Sequence, residues 1–174
     1  MTGEFEHTLM ARLDGDRVRR LTLVIAPSSM AVRSAVVRQW AGREADAVAW
    51  AALTAEYNDP PHFLETVIDA VRAVYPPVEA VDPADGLEAA LTDLLNALLF
   101  VGQPFVLILG NYQVITCAGI HEAMGWVLDY LPPDVHLILI STSEPPIPTL
   151  ARLRVRRQLL ELRLHKQSDD TAGH

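Results

Sequence analysis

Short runs of apolar residues recur along the chain and predict β-strands, because each run is bounded by proline, glycine or polar residues. The runs lie at 21–26, 47–53, 105–109, 135–140 and 159–164. Most are apolar at consecutive positions rather than at alternate ones, which is typical of strands buried on both faces of a parallel sheet. The chain is therefore expected to contain a central sheet with both faces covered.

Helical spacing of apolar residues separates these runs. It predicts helices at 30–40, 62–75, 87–100 and 120–131, and a short arginine-rich helix at 149–157. Parallel strands need crossover connections, so alternating strands and helices predict a three-layer α/β/α sandwich with a mostly parallel five-stranded sheet. We assign residues 17–164 to this domain, 1–16 to an N-terminal segment and 165–174 to a disordered tail.

Composition narrows the class of protein. The chain has 174 residues, which fits one domain, and 50% of them are hydrophobic. Its net charge of −8 makes a general attraction to nucleic acid or anionic lipid unexpected. A single cysteine, Cys117, cannot form an internal disulfide, the N-terminus lacks a signal-peptide pattern, and no apolar run approaches the roughly 20 residues that cross a bilayer. We therefore expect a soluble cytoplasmic protein without a membrane segment.

The loops after Ala26, Leu109 and Ile140 are the expected place for a site, because ligands of parallel α/β sheets bind at the carboxyl ends of the strands. Residues 21–40 have the strand, loop and helix frame of a phosphate-binding loop. The working motif is G-x-x-x-x-G-K-[ST], in which backbone N–H groups and a lysine hold phosphate and the hydroxyl holds Mg²⁺. Laid on 26–33, this motif finds none of its key residues.

Other combinations of reactive residues have simpler structural explanations. His121-Glu122 begins an H-E-x-x-H zinc motif, but position 125 is glycine, so no metal site is expected. The hydroxyl residues Ser28-Ser29 and Ser141-Thr142-Ser143 lack the G-x-S-x-G pattern of a nucleophile and are interpreted as turn and capping residues. The acidic residues at 82–93 suit a helix N-terminus, and the arginines at 152–157 suit a surface helix.

The order of these segments resembles the nucleotide-binding domain of the STAND P-loop ATPases, in particular the family of the maltose-operon activator and the large LuxR-type regulators. The likeness covers residues 17–164 in collinear order. The segments that carry it are Leu21–Trp40, Ala49-Trp50, Asn58-Asp59-Pro60, Phe63-Leu64, Phe105–Leu109 with Tyr112, Ile120–Ala123, Leu131-Pro132-Pro133, His136–Ile140, Ser143–Pro146, Leu150–Arg154 and Gln158–Leu162.

The resemblance implies a nucleotide site whose key residues have been replaced. The family's Gly-Lys-Thr falls at 31–33, and its two acidic residues for Mg²⁺ and water fall at Gly110 and Asn111. A histidine that often follows is Gln113 here, and the arginine that senses the γ-phosphate is Thr142. The degenerate nucleotide-site positions are Ala26, Ser28, Ser29, Ala31, Val32, Arg33, Ser34, Gly110, Asn111 and Thr142.

Loss of the lysine, the metal ligands and the sensor together is expected to abolish turnover, because phosphoryl transfer depends on positioning and charge stabilisation. The resemblance thus implies a pseudo-ATPase without cofactor or metal, which acts through a protein partner or self-association and does not bind DNA directly. Two alternatives stay open. The chain could be a Mg²⁺-independent sensor of adenine nucleotides, with Pro27 and Asn58-Asp59-Pro60 lining the pocket. It could also be an isolated or inactivated ATPase-domain fragment of a LuxR-type regulator.

Overall fold

The computed structural model describes residues 20–26, 47–76, 78 and 81–163. Five strands form one sheet, in which all four neighbouring pairs are parallel and the order is β2-β3-β4-β1-β5. The strands are β1 (Leu21–Ile25), β2 (Ala47–Ala52), β3 (Phe105–Gly110), β4 (Val135–Ser141) and β5 (Leu159–Arg163). Their bounds lie within one residue of the predicted ones.

The helices between β2 and β5 bury their apolar stripes against the sheet. They are α1 (Pro60–Val74), α2 (Leu87–Leu98), α3 (Ala118–Asp129) and α4 (Leu150–Val155). The strand connections from β2 to β5 all step across the sheet in one direction, so right-handed crossovers place these helices on the same face. Within the described residues, no helix is both long and apolar enough to span a bilayer.

Both faces of the sheet are covered. Leu23 and Leu137 belong to the core formed with the helices. The adjacent residues Val24 and Ile138 point to the opposite face by strand alternation, and they are also fully buried. This burial explains the continuous apolar runs, and the predicted three-layer α/β fold of the P-loop NTPase type is confirmed.

Helix bounds differ from prediction where capping or tertiary contacts set them. The helix predicted from His62 begins at Pro60, since proline is well suited to a first helical turn where no N–H is needed. The helix predicted from Ile120 begins at Ala118 after an extended Cys117. The N-terminal segment 1–16, the predicted helix 30–40 and the tail 165–174 lie outside the described residues, so these assignments stay predictions.

Candidate functional site

Three of the predicted site residues lie together at the carboxyl edge of the sheet. Ala26 directly follows β1, Gly110 ends β3, and Thr142 directly follows β4. These strands are neighbours in the order β3-β4-β1. The backbone N–H of Ala26 donates to the carbonyl of Ser141 at 3.0 Å, so the parallel ladder continues to this edge. The predicted juxtaposition is therefore present.

Gly110 leaves the end of β3 without a side chain. Its carbonyl accepts a hydrogen bond from the N–H of Leu53 at 2.9 Å, which fixes the backbone. A Cβ added at Gly110 would lie 3.3 Å from Cζ2 of Trp50. A carboxylate at this position would therefore require the indole ring to move by a few tenths of an ångström.

Asn111 adopts a left-handed backbone conformation, with φ 59° and ψ 38°. Its carbonyl accepts from the N–H of Val114 at 3.2 Å and so begins a short 3₁₀ turn over Tyr112–Val114. Asparagine tolerates this conformation better than most side chains other than glycine. The backbone turn thus accounts for the residue type here without a metal or a nucleotide.

A buried aromatic pair fixes the loop that follows. The hydroxyl of Tyr112 is 3.0 Å from Nδ1 of His121 on α3, and both residues are buried. Burial raises the pKa of Tyr112. Burial also lowers the pKa of His121, and a backbone hydrogen bond at Ile115 acts in the opposite direction. We infer that the hydroxyl of Tyr112 donates a hydrogen bond to Nδ1 of a neutral His121, so this contact accounts for the histidine without a metal.

The side chain of Asn58 also holds the loop between Tyr112 and α3 through hydrogen bonds. Its Oδ1 accepts from the N–H groups of Thr116 at 2.8 Å and Cys117 at 2.9 Å. Its Nδ2 donates to Oγ1 of Thr116 at 2.6 Å. The side chain expected to line an adenine pocket is therefore used to hold two loops together. Pro27, which was also expected to line this pocket, lies outside the described residues.

A tight turn follows β4. Oγ of Ser141 donates to the carbonyl of Ser143 at 2.7 Å, which agrees with the interpretation of these residues as turn formers. Thr142 is half-buried within this turn. Its hydroxyl cannot replace the charge of an arginine on a phosphate.

A network of ion pairs occupies the carboxylates beyond this turn. Arg154 on α4 binds Glu161 of β5 through Nη2 at 2.7 Å and Nε at 3.2 Å, and it also binds Glu144. The hydrogen bond from Arg154 is the largest cause that holds the pKa of Glu161 below its usual value. Arg163 lies 3.2 Å from the same glutamate. The carboxylates of Glu144 and Glu161 are therefore both paired with arginines.

The remaining predicted site residues, Ser28, Ser29, Ala31, Val32, Arg33 and Ser34, fall outside the described part of the chain. Across the ranges that are described, no group of three or more His, Cys, Asp and Glu residues could hold a metal ion. In the incomplete H-E-x-x-H motif that begins at His121, the second histidine position is Gly125. This glycine packs closely against Thr149, since a Cβ on it would come within 2.8 Å of Oγ1 of the threonine.

Sequence comparison finds relatives among bacterial transcriptional regulators. The chain is 34% identical over 161 residues to the HTH-type transcriptional regulator MalT of Serratia proteamaculans, and 32% identical over 161 residues to that of Yersinia enterocolitica. Each match covers 88% of this chain and 18% of the relative. The chain thus spans about a fifth of the length of these relatives. No family model matches the chain.

Solved structures with the same fold include Cdc6 and ORC proteins. Cdc6p from Pyrobaculum aerophilum aligns with a TM-score of 0.58 and 12% identity over 90% of this chain and 45% of its own. The Aeropyrum pernix ORC1 protein, solved in complex with DNA, aligns with a TM-score of 0.56 and 17% identity over 95% of this chain and 44% of its own. At these identities the likeness concerns the fold alone.

Proposed function

Since the chain is a relative of the MalT regulators and has a P-loop ATPase-like domain, we propose that it is a catalytically inactive member of this group. In this proposal the domain acts in the cytoplasm as a regulatory or scaffolding module that contacts another protein. The relatives are transcriptional regulators, but the chain covers only 18% of their length, so the proposed function does not include transcriptional regulation.

The observation that carries the proposal is the end of β3. A P-loop ATPase needs carboxylates at this edge to hold Mg²⁺ and to orient water, whereas this strand ends at Gly110 and is followed by Asn111. The nearby loop after β4 offers Glu144, but Arg154 binds it. With glycine and asparagine in place of the two acidic residues and valine at position 32, we expect the charge of a bound triphosphate to stay uncompensated.

A titration with nucleotide tests the proposal. Melting temperature and binding heat would be measured with ATP and ADP, with and without Mg²⁺, and we expect no change at millimolar nucleotide. A Mg²⁺-dependent shift of the melting temperature in the wild-type protein would refute the proposal that the nucleotide site has lost its function. A shift that is indifferent to Mg²⁺ would support the nucleotide-sensor alternative instead.

A restored variant provides the matched control. It combines Ala31→Gly, Val32→Lys and Arg33→Thr with Gly110→Asp and Asn111→Asp. Circular dichroism would first check that Trp50 accommodates the carboxylate at position 110 and that the variant is folded. We expect the folded variant to gain Mg²⁺-dependent ATP binding, which would show that the assay detects a working site on this scaffold.

Direct DNA binding is not part of the proposed function. The chain carries a net charge of −8, which opposes the phosphate contacts that supply most non-specific affinity. Fluorescence anisotropy with labelled duplex DNA at physiological salt is expected to show no binding. A salt-dependent, saturable increase in anisotropy would contradict this part of the proposal.

A further inference from the structure

Two arginines and two glutamates form a charged cluster that joins α4, β5 and the loop after β4. Arg154 of α4 and Arg163 of β5 each pair with both Glu161 of β5 and Glu144 of the loop. We call these four residues the arginine cluster. Arg163 ends β5 and lies opposite Ile25 in the parallel ladder, so the cluster reaches the carboxyl edge of the sheet.

The two glutamates of the cluster are held to different degrees. Glu161 accepts from Nη2 of Arg154 at 2.7 Å, from its Nε at 3.2 Å and from Nη2 of Arg163 at 3.2 Å. Its side chain is 24% exposed, whereas that of Glu144 is 43% exposed and lies 3.9 Å from Arg163. The hydrogen bond to Glu161 is also the largest cause that raises the pKa of Arg154, ahead of the bond to Glu144. Glu161 is therefore the fixed partner and Glu144 the exchangeable one.

The backbone of the loop that carries Glu144 is held without this ion pair. The neighbouring residues Pro145 and Ile147 are buried, and the N–H of Ile147 donates to the carbonyl of Pro145 at 2.8 Å. On the other side, Oγ of Ser141 donates to the carbonyl of Ser143 at 2.7 Å. The side chain of Glu144 can therefore leave the arginines while the loop keeps its course.

The charges of the cluster leave one place for an exchangeable anion. Arg154 and Arg163 carry two positive charges and Glu161 carries one negative charge, so Glu144 compensates the remaining positive charge. Guanidinium groups match the geometry of carboxylate and phosphate alike. A phosphate monoester carries a charge of about −1.5 to −2 at pH 7, which is more than the carboxylate supplies. An exposed ion pair contributes little, so a phosphate group is able to displace Glu144.

We propose that Arg154 and Arg163 form a binding site for a phosphate group, in which the carboxylate of Glu144 is an internal competitor. The ligand is inorganic phosphate or the phosphate group of a monoester. This proposal goes beyond the proposed function and does not depend on it, because α4 and β5 contain none of the degenerate nucleotide-site positions. Binding at this site requires no Mg²⁺, since the two guanidinium groups supply the compensating charge.

The variant Glu144→Gln tests the competition. Binding heat and melting temperature would be measured with inorganic phosphate for the wild type and the variant, with sodium chloride at equal ionic strength as the control for salt. Removing the competing ion pair should strengthen phosphate binding by about fivefold, the upper end of what an exposed pair contributes. Absence of saturable phosphate binding in Glu144→Gln, or the same affinity in both proteins, would overturn the proposal.

Arginine variants in the Glu144→Gln background locate the site. Arg163→Gln should weaken phosphate binding at least about tenfold, because it removes a hydrogen bond between two charged groups. Arg156→Gln is the matched control, since Arg156 is exposed at the end of α4 and removes the same charge outside the cluster. Both arginines are exposed, so the melting temperatures in chloride should stay close to that of the background. Equal losses in the two variants would overturn the proposal, because they would reduce binding to net charge.

A comparison of inorganic phosphate with AMP distinguishes the sources of the phosphate group. Similar affinities in Glu144→Gln would show that the phosphate group alone is recognised. Binding of AMP without binding of inorganic phosphate would overturn the proposal, because the nucleoside would then be required. The titration of the wild type with ATP and Mg²⁺ tests the proposed function separately. Failure of Glu144→Gln to bind phosphate would refute this site and leave the proposed loss of ATPase function unaffected.

Discussion

The contact between Gly125 and Thr149 gives a sharp test of the packing. Gly125 lies within α3, and a Cβ at this position would come 2.8 Å from Oγ1 of Thr149 and 3.8 Å from Ile147 and Pro148. The threonine is 6% exposed, and its hydroxyl donates to the carbonyl of Gly125 at 3.1 Å. Gly125→Ala should therefore force the loop before α4 away from the helix.

The expected loss of stability is the sum of two destabilising terms and one stabilising term. Overpacking a tight contact costs about 1–3 kcal/mol. Weakening the buried hydrogen bond costs about 1 kcal/mol more. Alanine in place of glycine returns about 1 kcal/mol of helix propensity. Gly125→Ala should thus lower the free energy of unfolding by about 2 kcal/mol, which corresponds to a fall of about 4–8 °C in melting temperature for a chain of this size.

Urea unfolding of four variants measures this effect. Gly119→Ala is the matched control in the same helix, because its Cβ would meet only Sγ of Cys117 at an ordinary 3.8 Å. It should be neutral or stabilising. Thr149→Ala removes the hydroxyl, so the double variant with Gly125→Ala should lose less than the sum of the single losses. If Gly125→Ala is as stable as Gly119→Ala, the steric reasoning is wrong.

Three further predictions concern a loop contact, a buried histidine and a left-handed residue. Asn58→Ala should cost about 2–3 kcal/mol in urea unfolding, and Asn58→Asp less, because the aspartate still accepts from both backbone N–H groups; equal losses would refute the clamp. Because burial lowers the pKa of His121, protons bind the unfolded chain preferentially, so the free energy of unfolding should fall as the pH drops below about 6.5. His121→Asn keeps an acceptor for Tyr112 and should remove that part of the pH dependence, which unfolding curves at several pH values would check. Arg157 has φ 57° after α4, so Arg157→Gly should raise the melting temperature through a gain of up to about 1 kcal/mol; a lower melting temperature would contradict this reasoning.

The sequence predicts most of the fold because apolar spacing and proline breaks act locally. The strand predicted at Phe105–Leu109 and the helix predicted from Leu87 are present with small shifts. The start of α3 could not be predicted in the same way. The loop before it is held by the side chain of Asn58, which lies about 60 residues earlier in the chain and has no local signal.

The candidate site is predictable as a set of positions and less so as a set of contacts. The ends of the predicted strands indicated Gly110 and Thr142 as site positions. The structure places both residues at the carboxyl edge of the sheet, as expected. The pair of Tyr112 and His121 was missed, because a histidine beside a glutamate first suggests a zinc motif. A spacing of nine residues between a strand-end tyrosine and a helical histidine could have indicated the contact. The partners of Glu144 depend on how α4 packs beside β5, which spacing does not reveal.

The position of β1 in the sheet has a consequence for how the chain reaches its native state. β1 is the first strand in sequence, but its neighbours are β4 and β5, so Leu21 pairs with Leu137 and Leu159. During synthesis, more than a hundred further residues must be added after β1 before either of its neighbouring strands has been made. Contacts between residues so distant in sequence slow folding, and until they form the apolar residues of β1 stay exposed and prone to aggregation. The nascent chain should therefore depend on a chaperone until β5 has left the ribosome.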